Sequence, residues 1–292
     1  MSAPVSVVIV HWNQSEACLA TIEAYERQGV ALRFIVADNA SRPEHVERLR
    51  SAFADRDDVT LLEGKVNNGF GGGANAGLAH WLAEHDSDWA LLSPHDVELG
   101  PDCIADLLAA ARAEPMAGLA CADVGDGMTP YIDPYFGGMT MPGDPTPGWQ
   151  PAAYPHGTLM ALRRECLAEI GLFDEDYFAY CEEADLAVRA ARAGWTCGLV
   201  RGARVQNVTI GSSVALVEYL QTRNTLRFVR KYSGNYHAFI RLMIHLIQAV
   251  RWTINPEVAP YIFDRPARLL GVRDFLLGRV GAPPPEVTGA AR

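Results

Sequence analysis

The 292-residue sequence has few cysteines, fewer basic than acidic side chains and no long uncharged apolar run. Its six cysteines form no C-x-x-C pair, so we expect reduced thiols and no disulfide framework. With 25 basic against 35 acidic side chains, the net charge of −10 argues against general nucleic-acid binding. Hydrophobic residues make up 49%, which excludes a disordered chain. No basic leader precedes the first apolar run, so we expect a cytoplasmic protein.

The charge is distributed unevenly along the chain. Residues 1–214 carry 14 basic and 30 acidic side chains, a net charge of −16, whereas residues 215–292 carry 11 and 5, a net charge of +6. This asymmetry predicts two parts with different roles, a body at 1–214 and a basic extension at 215–292.

Short apolar runs alternate with helical stretches through the first half. Continuous apolar runs predict buried strands at Val5–Val10, Phe34–Ala37, Val59–Leu62 and Trp89–Leu92. Helical patterns separate them at 15–28, 43–53, 75–85 and 101–113. This order predicts an α/β fold, Rossmann-like, with a mostly parallel sheet and flanking helices. Residues 116–154 are rich in glycine and proline and predict a loop-rich insertion.

Two long helices are predicted in the basic extension, at 215–232 and 236–254. In the second helix, one face is apolar and consists of Phe239, Leu242, Met243, Leu246, Ile247 and Val250. Only nine residues separate Arg241 from Arg251, too few to cross a bilayer. The helix has three open interpretations: packing on the body, pairing with a second copy as a homodimer, or peripheral contact with the inner face of a membrane.

Polar side chains follow each predicted strand, at the edge where doubly wound sheets bind ligands. Asp96 and Glu98 follow the fourth strand, and their oxygens suit Mg²⁺ or Mn²⁺ shared with ligand phosphates. The alternative is a turn with solvated acids. The glycine-rich run Gly69–Gly77 allows a close backbone approach to a ligand. It also fits a dinucleotide fingerprint, but the turn after the first strand lacks glycines.

The densest acidic cluster opens a predicted helix with Glu182, Glu183 and Asp185. Acids in a first turn favour the helix dipole, so simple capping is one interpretation. Acids crowded beside aromatic rings also raise one another's pKa values, which suits a general base.

Six segments in this order resemble the family 2 glycosyltransferases, and among them the bacterial rhamnosyltransferase-like branch. The segments are VSVVIVHWN, VADNAS, NNGFGGGANAG, SPHDVEL, GLFDEDYFAYCEEADLAVRAARAGW and YLQTRNTLRFVRKY. The resemblance covers about residues 5 to 232. It implies a GT-A fold with a C-terminal helical extension, a nucleotide-diphosphate sugar donor, a divalent metal and inversion at the anomeric carbon.

The resemblance also implies roles for individual residues. Asp38 would read a pyrimidine base, which favours a UDP- or dTDP-sugar, with dTDP-rhamnose or another deoxysugar as an expectation from the branch. Asp96 and Glu98 match the D-x-D metal element, and Glu183 matches the general base. The other matching positions lie in the donor site (His11, Trp12, Asn13, Asn67, Gly69 and Asn75) and in the helix and turn that complete the site (Arg189 and Trp195).

Two positions depart from the family pattern. The base is glutamate where the family usually has aspartate, and Asn207 stands where the family often has a metal-site histidine, for which His95 and His156 could compensate. The leading hypothesis is an inverting glycosyltransferase acting on a hydroxyl of a glycan, a lipid-linked sugar or a secondary metabolite. The alternatives are an inactive GT-A scaffold or adaptor and a dinucleotide-dependent oxidoreductase.

Overall fold

A computed structural model describes residues 3–208 and 212–288. Its strands are β1 Val5–His11, β2 Leu32–Asp38, β3 Val59–Glu63, β4 Trp89–Pro94, β5 Val97–Leu99, β6 Ala117–Asp123, β7 Met128–Asp133, β8 Gly137–Pro142, β9 Gly148–Pro151, β10 Met160–Arg163 and β11 Thr196–Asn207. The helices are α1 Ser15–Glu26, α2 Pro43–Phe53, α3 Gly69–Glu84, α4 Cys103–Ala113, α5 Arg164–Ile170, α6 Glu182–Arg192, α7 Val214–Ser233, α8 Asn235–Ile254, α9 Arg265–Leu276 and α10 Pro285–Thr288.

The central sheet has the strand order β3-β2-β1-β4-β10-β6-β11-β5, and β9 also pairs with β11. Strands β1 to β4 are parallel neighbours, β10 runs antiparallel between β4 and β6, and β11 resumes the parallel direction beside β6. Apolar side chains on both sheet faces form two large buried clusters beneath the flanking helices. The predicted α/β fold with a mostly parallel sheet is confirmed.

The glycine-rich run differs from its predicted form. Helix α3 begins at Gly69, not at Asn75, so the whole run is helical. The side chain of Val8 on β1 lies where a Cβ atom on Gly77 would have to stand. The glycines therefore allow α3 to pack unusually close to the sheet, in addition to opening the ligand edge.

The predicted loop-rich insertion contains a central strand. Strand β6 is buried along its whole length between β10 and β11, and only the residues after it form the open hairpin of β7 and β8. Alanine, glycine and cysteine in β6 lack the β-branched signature of a strand. Tertiary packing decides its conformation.

The basic extension packs on the body mainly through α7. Phe228 on α7 is buried with Tyr177 and Ala184 of the body. Helix α9 packs against α7, and α8 packs against both. Within the described ranges, no helix combines the length and hydropathy needed to cross a membrane.

Candidate active site

A cavity of about 590 Å³ opens at the carboxyl edge of the sheet. Strand ends and the segments that follow them supply Trp12, Asn39, Asn67, Asp96 and Asn207. The lining also includes the acidic cluster with α7 and α10, represented by Tyr180, Glu182, Glu183, Leu216, Leu220 and Val287. The polar residues after the strands, which the sequence predicts to converge, therefore line one cavity. Residues from much later in the chain line the same cavity.

The start of α3 is anchored to the end of β2 by an amide side chain. Asn39 donates from Nδ2 to Asn67 Oδ1 at 3.0 Å and to the Gly69 carbonyl at 2.7 Å. Gly69 has φ +75°, and a Cβ atom there would meet the carbonyl of Phe178. Asn67 and Gly69 thus line the cavity as expected, and Asn39 is an organising residue that the sequence reasoning did not assign.

Asp38 lies at the end of β2 as a buried carboxylate with fixed partners. His11 Nδ1 is 2.8 Å from Asp38 Oδ1, and the Ser41 backbone N–H donates to Oδ2 at 3.1 Å. Burial opposes the negative charge, but the hydrogen bonds from His11 and Ser41 outweigh it and lower the pKa of Asp38. Asp38 borders a separate open depression of about 620 Å³ with Ser41, Glu63 and Gly64.

Two asparagines predicted in the donor site are placed outside the main cavity. Asn13 has φ 55°, and its side chain accepts from the Arg42 backbone N–H at 2.7 Å. Asn75 exchanges hydrogen bonds with the backbone of Phe173 and donates to Glu175. Both side chains therefore shape the loops around the site instead of facing its interior.

Asp96 reaches the cavity beside an amide on β11. Asn207 donates from Nδ2 to Asp96 Oδ1 at 3.1 Å, and its Oδ1 accepts from the Thr158 hydroxyl at 2.9 Å. Glu98 lies on β5 with an exposed side chain, away from the cavity. Within residues 3–208 and 212–288, no three His, Cys, Asp or Glu side chains form a metal cluster by themselves.

The two histidines considered as substitutes occupy different places. His95 lines the cavity, and its Nδ1 lies 3.0 Å from the Val10 carbonyl, whereas its buried Nε2 has no hydrogen-bond partner among the described residues. Burial lowers the pKa of His95, which favours the neutral ring. His156 is half-buried beside Tyr154, outside the cavity lining.

Glu182 and Glu183 are the first two residues of α6, and both line the cavity. Burial raises the pKa of both groups, and the nearby Glu183 charge raises that of Glu182 further. The pKa of Glu182 is the more strongly raised of the two, which favours a proton on Glu182 and the charge on Glu183. Glu183 Oε1 lies 2.5 Å from the position that a Cβ atom on Gly157 would occupy, so only glycine leaves this carboxylate its place.

Asp185 lies one turn into α6 but faces the protein interior. Its carboxylate accepts from Arg189 at 2.9 Å, from Lys231 at 2.5 Å and from the Tyr232 hydroxyl at 2.7 Å. Arg189 also donates to two carbonyls in the turn after α5, and Trp195 donates to Glu169 at 2.8 Å. These residues fix the frame of α6 from behind the cavity.

Residues 174–183, here called the acidic segment, approach α6 through an unusual backbone. Phe178, Tyr180 and Cys181 have φ values of 67°, 67° and 76°, a region costly for residues with side chains. Asn224 on α7 is fully buried, and its Nδ2 lies 2.7 to 3.0 Å from the carbonyls of Tyr177, Ala179 and Tyr180. The contact spans about forty-five positions, and the sequence motif around Asn224 was the one signal for it.

Comparisons with known proteins identify the family of this chain. The glycosyl transferase family 2 model matches residues 6–171, and the chain belongs to this family. An N-acetylglucosaminyl-diphospho-decaprenol L-rhamnosyltransferase of Mycobacterium tuberculosis is 26% identical over 229 residues, which cover 65% of this chain and 70% of the relative. The expected likeness to the rhamnosyltransferase-like branch is confirmed, and glycosyl transfer is the class of reaction.

Solved structures show the same fold. A mannosyltransferase from Pyrobaculum calidifontis in complex with GDP-Man and Mn²⁺ has a TM-score of 0.60 at 13% identity, over 95% of this chain and 88% of that one. GalNAc-T7 with UDP, GalNAc and Mn²⁺ has a TM-score of 0.64 at 15% identity, over 94% and 55% of the two chains. Both are GT-A glycosyltransferases, so the predicted GT-A fold is confirmed.

Proposed function

We propose that this chain transfers a sugar from a pyrimidine nucleotide-diphosphate donor to an acceptor hydroxyl, with inversion at the anomeric carbon. The observation that carries the proposal is that Asp96 and Glu183 both line one cavity at the carboxyl edge of the sheet. An inverting transfer needs a base on the acceptor side and charge stabilisation on the diphosphate side. The two carboxylates supply these two functions.

Glu183 is the general base in this proposal. Its carboxylate accepts the proton of the acceptor hydroxyl as the acceptor oxygen bonds to the anomeric carbon. The bond from that carbon to the diphosphate breaks, and its electron pair leaves with the diphosphate. A proton on Glu182 limits the pair to a single negative charge, which Glu183 carries. Asp185 has a positioning role, because its carboxylate is bonded to Arg189, Lys231 and Tyr232.

Asp96 is the residue that would hold a divalent cation, Mg²⁺ or Mn²⁺. Such ions take one or two protein carboxylates and complete their shell with substrate phosphates, so a single cavity carboxylate with the Asn207 amide beside it fits. His95 lines the same cavity, and its buried Nε2 atom has no hydrogen-bond partner among the described residues. When bound, the cation would neutralise charge on the leaving diphosphate. The exposed Glu98 has no part in this arrangement.

The proposed donor is a UDP- or dTDP-sugar, with a deoxysugar such as rhamnose favoured by the relative's name. Asp38 and the depression beside it are the proposed base-reading region. Trp12, Asn67 and Gly69 line the main cavity, where the rest of the donor would bind. The proposed acceptor is a lipid-linked sugar. Four apolar side chains of the extension line the cavity and support this choice, namely Leu216, Leu220, Pro283 and Val287. Donor binding and catalysis fall to residues 1–214, and acceptor-side functions fall mainly to 215–292.

Replacement of the base tests the proposal. Glu183→Gln should lower kcat by about 10²–10⁴-fold while donor binding by calorimetry stays unchanged, because a general base contributes that much and does not hold the donor. Glu183→Asp should recover part of the activity. Glu16→Gln, at an exposed carboxylate on α1, is the control.

The pH profile provides an independent readout. Because burial raises the pKa of Glu183 above its ordinary value of 4.5, activity should rise with pH along a limb centred above that value. Glu183→Gln activity within about tenfold of wild type would rule out the assigned base. Absence of transfer and of donor hydrolysis in the wild-type chain, with every acceptor tried, would favour the scaffold alternative.

A further inference from the structure

Helix α8 carries its apolar side outward. The side chains of Ile247 and Ile254 are 65% and 79% exposed, and the same ridge includes Tyr236, Phe239 and Val250, all exposed. These residues follow one another at spacings of three, eight, three and four, and the half-buried Met243 divides the spacing of eight into two of four, so they form one stripe along the helix. At 1.5 Å per residue the stripe is about 27 Å long.

The opposite side of α8, which is turned towards the protein, is partly polar. His245 is buried on this side, and Gln248 accepts from Arg268 of α9 at 3.1 Å. The Arg241 guanidinium lies over the Phe136 ring at 4.7 Å. The face that the sequence pattern would assign to a core is therefore only partly used, through Leu242 and Leu246, and the rest faces solvent.

The apolar surface continues beyond α8. Tyr261 in the connection to α9 is 89% exposed, and Leu269, Leu276 and Leu277 are exposed on α9. Exposed arginines lie on the same helices at Arg251 and Arg265 and on α7 at Arg230, whereas the exposed acids Glu257 and Glu286 lie in the connection and on α10. We call this surface of α8, the connection and α9 the outer helical face.

We propose that the outer helical face docks on an anionic lipid surface. A stripe of large apolar side chains bordered by arginines is typical of helices that lie in the interface plane of a bilayer. Anionic headgroups attract the extension, which carries +6, and repel the body, which carries −16, so only this face would be turned towards the membrane. A second copy is the less favoured occupant, because pairing would bring two extensions of charge +6 together.

The position of the cavity agrees with this orientation. Leu216 and Leu220 line the cavity from α7, the helix against which α9 packs. Tyr180, another lining residue, packs in the same cluster as Ala267 and Leu270 of α9. Helix α9 thus lies beside the cavity. The inference rests on the proposed function for the lipid-linked acceptor, which a docked enzyme would meet at the membrane surface.

Vesicle sedimentation of the full chain tests the proposal. The wild type should sediment with vesicles of phosphatidylglycerol and phosphatidylcholine in equal parts, less with phosphatidylcholine alone, and less at high salt. The double variant Ile247→Glu, Ile254→Glu should lower partitioning onto the mixed vesicles at least about tenfold, because it removes two apolar anchors and adds two negative charges. Met116→Glu, at an exposed apolar site on the acidic body, should partition as the wild type does.

Other readouts separate this inference from the proposed function. Donor affinity and donor hydrolysis without vesicles should be the same in the double variant and the wild type, since both substitutions lie outside the cavity. Equal vesicle binding by wild type and double variant, or none by the wild type, would overturn the lipid proposal. A wild-type dimer that the double variant converts to monomers, with no vesicle binding, would overturn it in favour of a second copy.

Discussion

Two carboxylates that line the cavity, Asp96 and Glu183, are positioned by different parts of the fold. Asp96 follows a buried strand in the middle of the sheet, and its amide neighbour Asn207 ends another strand of the same sheet. Glu183 follows a segment with three positive-φ residues, which Asn224 holds from a helix in the basic extension. The sheet alone positions Asp96, whereas the position of Glu183 also depends on the extension being folded and packed against the body.

Three further substitutions test this difference, and among them Asp96→Ala is expected to have the largest effect on activity. Asp96→Ala should lower kcat/KM by about 10²–10³-fold and weaken Mn²⁺-dependent donor binding, since the diphosphate loses its electrostatic partner. Calorimetry with UDP or dTDP, with and without Mn²⁺, measures the binding effect. Glu98→Ala is the matched control, because that carboxylate lies two residues on and is exposed. An equal loss in Glu98→Ala would instead assign both acids to the metal.

An intermediate effect is expected at Asn224. Asn224→Ala leaves three buried carbonyls without this donor, so kcat should fall about tenfold or more and stability by about 2 kcal/mol. The loosened segment should admit water around Glu183 and move the acidic limb of the pH profile to lower pH. Leu226→Ala, in the core on the same helix, should lose comparable stability without moving that limb. A limb unchanged in Asn224→Ala would refute the positioning role.

The smallest effect of the three concerns Asp38, which belongs to the sheet-built side. Asp38→Ala removes the partner of His11 and of the Ser41 backbone, so affinity for UDP and dTDP should fall about tenfold while kcat at saturating donor changes less. Calorimetry measures the affinities. Glu84→Ala, at an exposed carboxylate at the end of α3 outside both depressions, is the control. Unchanged nucleotide affinity in Asp38→Ala would place base recognition elsewhere.

Local patterns predicted the elements whose cause is local. The β-branched run at Val5–Val10 and the proline-led helix at 43–53 appear as predicted, because periodicity and capping act over a few residues. Strand β6 was missed because its small residues give no local signal, and its burial comes from β10 and β11. The same limit applies to direction: Asp185 and Asn75 lie near the site in sequence, yet their side chains are bonded away from the cavity.

By itself, the amino-acid sequence determined the α/β class, the family and the segments that supply the site, because motif order and strand periodicity are written along the chain. Only the tertiary structure decided which carboxylates share the cavity, that Asn224 restrains the segment before Glu183, and that α8 turns its apolar stripe outward. Each of these features depends on contacts between residues that are distant in the sequence. A local pattern does not specify which face of a helix is turned towards the helix it packs against.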